Sequence, residues 1–396
     1  MKLLDIYTRE SETHIKLVGL VEQANHETVE LFFEFPVAYK TFINVTADPF
    51  LPLLLIPAMY SGEDLEIQHD ISTKLITSIE IIQDIFSSWY PESFRKVKVW
   101  GYKTIERTLS SGYSGQFFSL GVDSFYTLLK NRDKDLRYLV YMQGLELPLS
   151  RYTHNQEYGV VENIKNVCEH YELELITGQT NFRDHFQLDW PKFYHGAGLA
   201  SVALALSGGI ARMYIASSHS YDAHIPVGSS FMLDHYWSTE QTEIVHDGAE
   251  KGRGFKLAEV VAHDPYALNN LRVCTENDGG DYNCCHCRKC VMTMAALDII
   301  GKLDDSRVFP DKSIKGKIQR IRPYSLSSYI LVRDLQTLAG KYGRFDLVKE
   351  INKELIVGFH DLYGRKEMSY GLGRYIRELL FYLYTKLSRR LFSNEQ

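Results

Sequence analysis

Between residues 72 and 89 apolar side chains return at helical spacing, at Leu75, Ile76, Ile79, Ile82 and Ile85, and Pro91 follows. This predicts an amphipathic helix that stops before the proline. Residues 14–20, 28–35 and 96–100 carry short runs of β-branched and aromatic residues and predict strands. From residue 115 the pattern alternates: strand 116–119, helix 124–131, strand 136–142, helix 157–171, strand 173–177, helix 195–210 and strand 212–217. Strands separated by helices of that length predict an α/β fold with a doubly wound parallel sheet. A helix over 289–300 closes this unit, and the chain beyond 301 is mostly helical. The last helix, 370–392, carries Tyr375, Ile376, Leu379, Leu380, Leu383 and Leu387 on one side and basic residues around them. It is expected to pack on the body with a solvated basic face. Three parts follow: an N-terminal α+β domain over 1–111, the α/β domain over 112–301, and a helical C-terminal extension over 302–396.

The chain has 396 residues, 45% hydrophobic and 24% charged, which is ordinary for a globular protein and enough for more than one core. Its formal net charge of −6 gives no general attraction to nucleic acid or anionic lipid. The apolar runs 50–60 and 196–210 are too short to cross a bilayer. No targeting segment or repeat is evident, so a cytoplasmic location is expected.

Five of the six cysteines fall between Cys274 and Cys290. Cys284, Cys287 and Cys290 follow one another at the two-residue gaps of metal knuckles, and Cys274 completes a set of four thiolates, which suits Zn²⁺. Cys285 breaks that spacing and is left out. Four protein ligands leave no open position, so the zinc is expected to be structural.

The turn after residues 116–119 reads Ser119-Leu120-Gly121-Val122-Asp123-Ser124 and opens a helix. Unpaired N–H groups and the positive end of the helix dipole suit an anion there. Ser119 and Ser124 add hydroxyls, Gly121 permits close approach, and Asp123 caps the helix or faces Mg²⁺ on a phosphate. A ligand-free capped helix is the plainer alternative.

This hexapeptide resembles the S-G-G-x-D-S loop of the PP-loop ATP pyrophosphatases. The downstream order, Cys274 and then Cys284-Cys285-His286-Cys287-Arg288-Lys289-Cys290, is similar to the zinc pattern of the 7-cyano-7-deazaguanine synthases of queuosine biosynthesis. The resemblance covers roughly residues 112–300. Leu120 and Cys285 stand where that family has glycine. About 110 residues precede the loop and nearly 100 follow the zinc helix, which the family normally lacks.

The resemblance implies an ATP-dependent carbon–nitrogen ligase. ATP bound over Ser119–Ser124, with Mg²⁺, adenylates the carboxylate of a 7-deazaguanine, and an amine then displaces AMP to give an amide or, after a second activation, a nitrile. The catalytic candidates are Asp123, Ser124 and Lys256. Ser217, His219 and Asp234 lie near the strand ends where open α/β sheets bind ligands. In an anti-phage branch of the wider family the acceptor is a protein N-terminus, and the added termini here favour a partner protein over ammonia. Two alternatives stay open: a tRNA-thiolating PP-loop enzyme, for which Cys285 would carry sulfur, and a degenerate nucleotide-binding scaffold.

Overall fold

The computed structural model describes residues 1–363 apart from 24, 108–111, 153, 224 and 277–281. The expected helix over 370–392 lies outside the described residues. The chain divides into two compact units. The first is Met1–Val273 with Ser306–Val308, and the second is the rest of the chain from Cys274 on.

The first unit is built on one ten-stranded sheet. Its strands in chain order are β1 (Lys2–Glu10), β2 (His14–Glu22), β3 (Thr28–Pro36), β4 (Leu65–Ile67), β6 (Val99–Trp100), β8 (Tyr113–Phe117), β9 (Leu136–Gln143), β10 (Glu174–Thr180), β11 (Ile210–Ala216) and β12 (Glu243–Asp247). The short strands β5 (Asp70–Ser72) and β7 (Lys103–Ile105) pair separately. Across the sheet the order is β12-β11-β8-β9-β10-β3-β2-β1-β4-β6. The first five of these run parallel. The order therefore reverses at β8: the chain moves outward through β9 and β10, then returns to β11 on the other flank.

The sheet crosses the boundary expected near residue 111. β3 pairs antiparallel to β10, with Gln179 opposite Glu34 and Thr180 opposite Phe33. Asn181 prolongs the pairing, accepting from Phe32 N–H at 2.9 Å and donating to Glu30 O at 2.8 Å.

The helices are α1 (Leu51–Ser61), α2 (Thr73–Trp89), α3 (Val122–Asn131), α4 (His154–His170), the single turn α5 (Phe182–His185), α6 (His195–Ala205), α7 (Arg253–Glu259) and the single turn α8 (Pro265–Leu268). α2 begins at Ser72, whose hydroxyl accepts from Leu75 N–H at 3.0 Å, and buries Leu75, Ile76, Ile79, Ile82 and Phe86. The apolar run near residue 55 forms α1, with residues 51–59 all buried. A helix apolar on every side belongs in a core, and α1 packs against the equally apolar α6. The Tyr194 hydroxyl joins them by donating to Leu53 O. α6 stops at Ala205, five residues short of the expected 210. Gly208 and Gly209 then pass so close to Phe42 that a Cβ on Gly209 would meet its ring at 2.4 Å.

The second unit contains the cysteine segment followed by α9 (Arg288–Ile299), α10 (Leu326–Lys341) and α11 (Phe345–Tyr363). α10 opens with a capping box in which Ser325 accepts from Ser328 N–H at 3.1 Å. Arg344 ties the α10–α11 turn to α9 through Asp298 at 2.6 Å. Among the described residues no helix is long and apolar enough to cross a membrane.

Candidate functional site

β8 ends at Phe117, and the chain turns through Ser119–Gly121 into α3 at the point where the strand order reverses. Such a switch point opens a crevice at the carboxyl ends of the strands. Gly121 is the N-cap and no side chain caps the helix. Ser119 is exposed and Val122 is buried. The Ser124 hydroxyl donates back to Gly121 O at 2.9 Å. The left-handed conformation belongs to Leu120 at φ 63°, while Gly121 sits at −79°. Gly121 therefore serves through openness: a Cβ there would lie 3.5 Å from Ser119 Oγ, on the mouth of the turn. The Leu120 side chain is wholly buried, leaving the outer face of the turn to Ser119 and backbone.

Asp123, expected as a cap or a Mg²⁺ neighbour, is held by two cations from α7. Its Oδ2 accepts from Arg253 Nε at 2.9 Å and Nη2 at 2.5 Å, and its Oδ1 lies 3.3 Å from Lys256 Nζ. Burial alone would raise this carboxyl; Arg253 and then Lys256 outweigh burial and hold it at about 2. Lys256 is 1% exposed. Its ammonium donates to Ser217 O at 2.5 Å and lies 5.6 Å from the centre of the Tyr126 ring. Arg253 Nη2 also donates to Ser218 Oγ at 3.1 Å. Two cations on Asp123 leave one positive charge in excess among these three groups, and Asp247 and Glu250 with Lys130 offset it from the adjoining turn.

Gly248, at φ 88°, turns the chain after β12 directly over this cluster, where a Cβ would meet Tyr126 at 3.2 Å and Lys256 Nζ at 3.4 Å. α3 holds that turn in place. Lys130 bonds Asp247 at 2.9 Å and Glu250 at 2.7 Å, and the Tyr126 hydroxyl donates to Glu250 at 2.7 Å.

The segment after β11 carries the other candidates. Ser217 N–H donates to Asp247 O at 2.7 Å, tying the ends of β11 and β12 together. Burial first, then Arg253, pushes the His219 imidazole down to about 4, so it is neutral at ordinary pH. Asp234 is fully buried on a turn of 3₁₀ helix and accepts from Ser229 Oγ at 2.7 Å and His246 Nδ1 at 2.8 Å. Ser217, Ser218, His219, Ser229 and His246 line one depression. Sequence reading missed Arg253, although it stands three residues before Lys256 and so shares its helix face. It also missed His246, on the unrecognised strand β12.

In the second unit Cys274, Cys284, Cys287 and Cys290 are buried, with their sulfurs all within 4.8 Å of one another. Two of the separations, Cys284–Cys290 and Cys274–Cys287, are 3.9 Å. A tetrahedron with Zn–S bonds of ~2.3 Å has edges of ~3.8 Å, so the set fits Zn²⁺. Cys287 N–H donates to Cys284 Sγ at 3.2 Å, and Cys287 caps α9. The Cys287 thiol is drawn down to about 4, chiefly by its hydrogen bond from Cys290, whose own thiol is pushed far up in return. Four thiols this close cannot all ionise without a cation among them. Cys285 lies at φ 61° in the knuckle and is buried.

No protein-family model, no curated protein and no solved structure matches this chain.

Proposed function

We propose that the chain is a carboxylate-activating enzyme of the PP-loop type, which adenylates a 7-deazaguanine carboxylate with ATP and passes the acyl group to an amine. The observation that carries this reading is the uncapped start of α3 at the switch point, flanked by Arg253 and Lys256 on Asp123. Phosphates over Ser119–Ser124 would meet free backbone donors and draw Arg253 and Lys256 from the carboxylate. Positive charge within reach of the turn would stabilise departing pyrophosphate once Arg253 and Lys256 swing to it. Mg²⁺ bound to the phosphates would supply further charge neutralisation. Zn²⁺ on the four cysteines would have a structural role, since the set leaves no open position. The acceptor is read as the N-terminal amine of a partner protein, on the strength of the helical extension after residue 301. Thiolation of tRNA fits less well: a sulfur-carrying cysteine must be reachable, and all six cysteines are buried.

The test is pyrophosphate release from ATP with 7-carboxy-7-deazaguanine, followed by mass spectrometry of the products. Lys256→Met should lower pyrophosphate release by about 10²–10³-fold, the usual scale for one charge-stabilising group. A mass increment on a co-expressed protein supports conjugation, and a free nitrile as sole product makes ammonia the acceptor. Absence of pyrophosphate release with this acid leaves the scaffold reading.

A further inference from the structure

The depression beside the charge cluster is small, with a cavity volume of about 20 Å³, room for a water-sized group such as an amine head. Two of its wall residues, Ser217 and Ser218, are also the acceptors of Lys256 and Arg253. A molecule seated there lies next to the side chains that hold Asp123. Another wall is His246, whose ring is 7% exposed and whose Nδ1 donates to Asp234. Asp234 is at 0% exposure, with Ser229 Oγ on the same oxygen and Ser230 N–H on the other at 3.2 Å. Gly196 backs it closely, since a Cβ there would stand 2.5 Å from Asp234 Oδ1. The carboxylate is thus fixed, and it fixes the imidazole with the proton on Nδ1 and the lone pair on Nε2.

We propose that His246, oriented by Asp234, is the general base of the acceptor step, taking the proton of the amine as its nitrogen attacks the activated carboxylate. The proposal rests on the activation reading above. The new C–N bond forms as the C–O bond to AMP breaks, and AMP leaves with that electron pair. One N–H proton passes to Nε2, giving an imidazolium paired with Asp234, and then to solvent. The attacking nitrogen becomes positively charged, and a base that takes its proton removes that charge and yields the neutral amide. Ser229 shares the Asp234 oxygen, and among the described residues His219 is an imidazole in electrostatic reach of His246, with Arg253, Lys256 and Asp123 around it. His219 is neutral at working pH and so adds no imidazolium of its own. Asp234 is a positioning residue.

The experiment uses the full chain, ATP, 7-carboxy-7-deazaguanine, and as amine either ammonium chloride or a peptide beginning with glycine. Pyrophosphate release, hydroxylamine capture of the acyl adenylate and amide formation are followed from about pH 6 to pH 9, the range that brackets imidazole titration. His246→Gln should lower amide formation by about 10²–10³-fold relative to the same variant's pyrophosphate release, a split that a merely structural role would not produce. Its amide pH profile should also lose the limb that reports an imidazole. Asp234→Asn should lower the amide rate similarly, by favouring the wrong tautomer. If either variant fails to fold, the wild type decides, with rates taken per unprotonated amine: amide formation must still fall on an acid limb that pyrophosphate release does not share. Variants that form amide as fast as the wild type, or a wild type without the separate limb, overturn the base role and leave the activation reading standing. A wild type that releases no pyrophosphate with this acid overturns both.

Discussion

Leu120 and Cys285 both adopt left-handed backbone, at φ 63° and 61°. Both are the positions where the resembled loops carry glycine, the residue that left-handed backbone favours. That conformation disfavours an L residue by about 1–2 kcal/mol. Leu120 offsets this by full burial. Leu120→Ala should keep the strain and lose the side chain, a destabilisation of about 2–5 kcal/mol. Leu120→Gly removes the strain as well, so in urea unfolding it should be the more stable of the two by about 1 kcal/mol, opposite to the usual order. An alanine variant as stable as the glycine one would contradict the left-handed assignment. Two titrations at the site make a second prediction. His219 is held at about 4 against a usual 6.5. Above 6.5 the folded and unfolded chains bind the same number of protons; below it only the unfolded chain gains one, so stability falls as pH drops from about 6.5 to about 4. Asp123, at about 2 against 3.8, acts with the same sign in a lower window: its contribution, about 2 kcal/mol, is complete above 3.8 and disappears as pH falls through 2. His219→Gln should flatten the upper part of the acid-melting curve and leave the lower part unchanged. An unchanged upper part would place the titrating group elsewhere.

Among the elements, those with one buried face were legible and those without one were not. α2 appears where Leu75, Ile76, Ile79 and Ile82 predict it, and the alternating strands and helices beyond residue 115 do form a parallel sheet. β1 was missed because only Leu3 of its nine residues is buried, which leaves no alternation to read. β12 was missed because it has five residues and ends in His246-Asp247. The consequence reached the site, since the Asp234–His246 pair cannot be assembled without β12. The turn into α3 and the cysteine knuckle were legible because their residues are local in sequence. Arg253 on Asp123 was not, because 130 positions separate them and only the fold joins them. The cysteine set carries its own prediction. Metal binding at such a site amounts to about 10–16 kcal/mol, comparable with the whole stability of a domain. The wild type should contain zinc by elemental analysis, and Cys287→Ser should lose it and unfold the segment that begins at Cys287, seen as loss of helical circular dichroism and new proteolytic cleavage within 284–299. A zinc-free protein with an unaltered melt would remove the metal from the account.

At the scale of the whole first unit, the N-terminal third is part of the core that carries the site. Were it a separate docking domain, its removal would spare ATP cleavage and impair only transfer. The structure argues otherwise. β3 is hydrogen-bonded to β10, α1 packs on α6, and Asn44 N–H donates to Ala205 O at 3.0 Å. Ser72 donates to Glu240 at 2.6 Å, and Lys74 N–H donates to its other oxygen at 2.7 Å, on the segment that follows Asp234. Deleting residues 1–111 would strip the partner from β10 and expose the apolar surface of α6, where residues 196–205 are all buried. Against a typical margin of about 5–15 kcal/mol, losing this much packing should unfold the remainder. The chain beginning at residue 112 is therefore expected to be insoluble or to lack a cooperative thermal transition, and to release no pyrophosphate. A soluble truncation that still cleaves ATP would show that the parallel strands and their helices hold the site by themselves, and the N-terminal strands would then be an addition to an independent core.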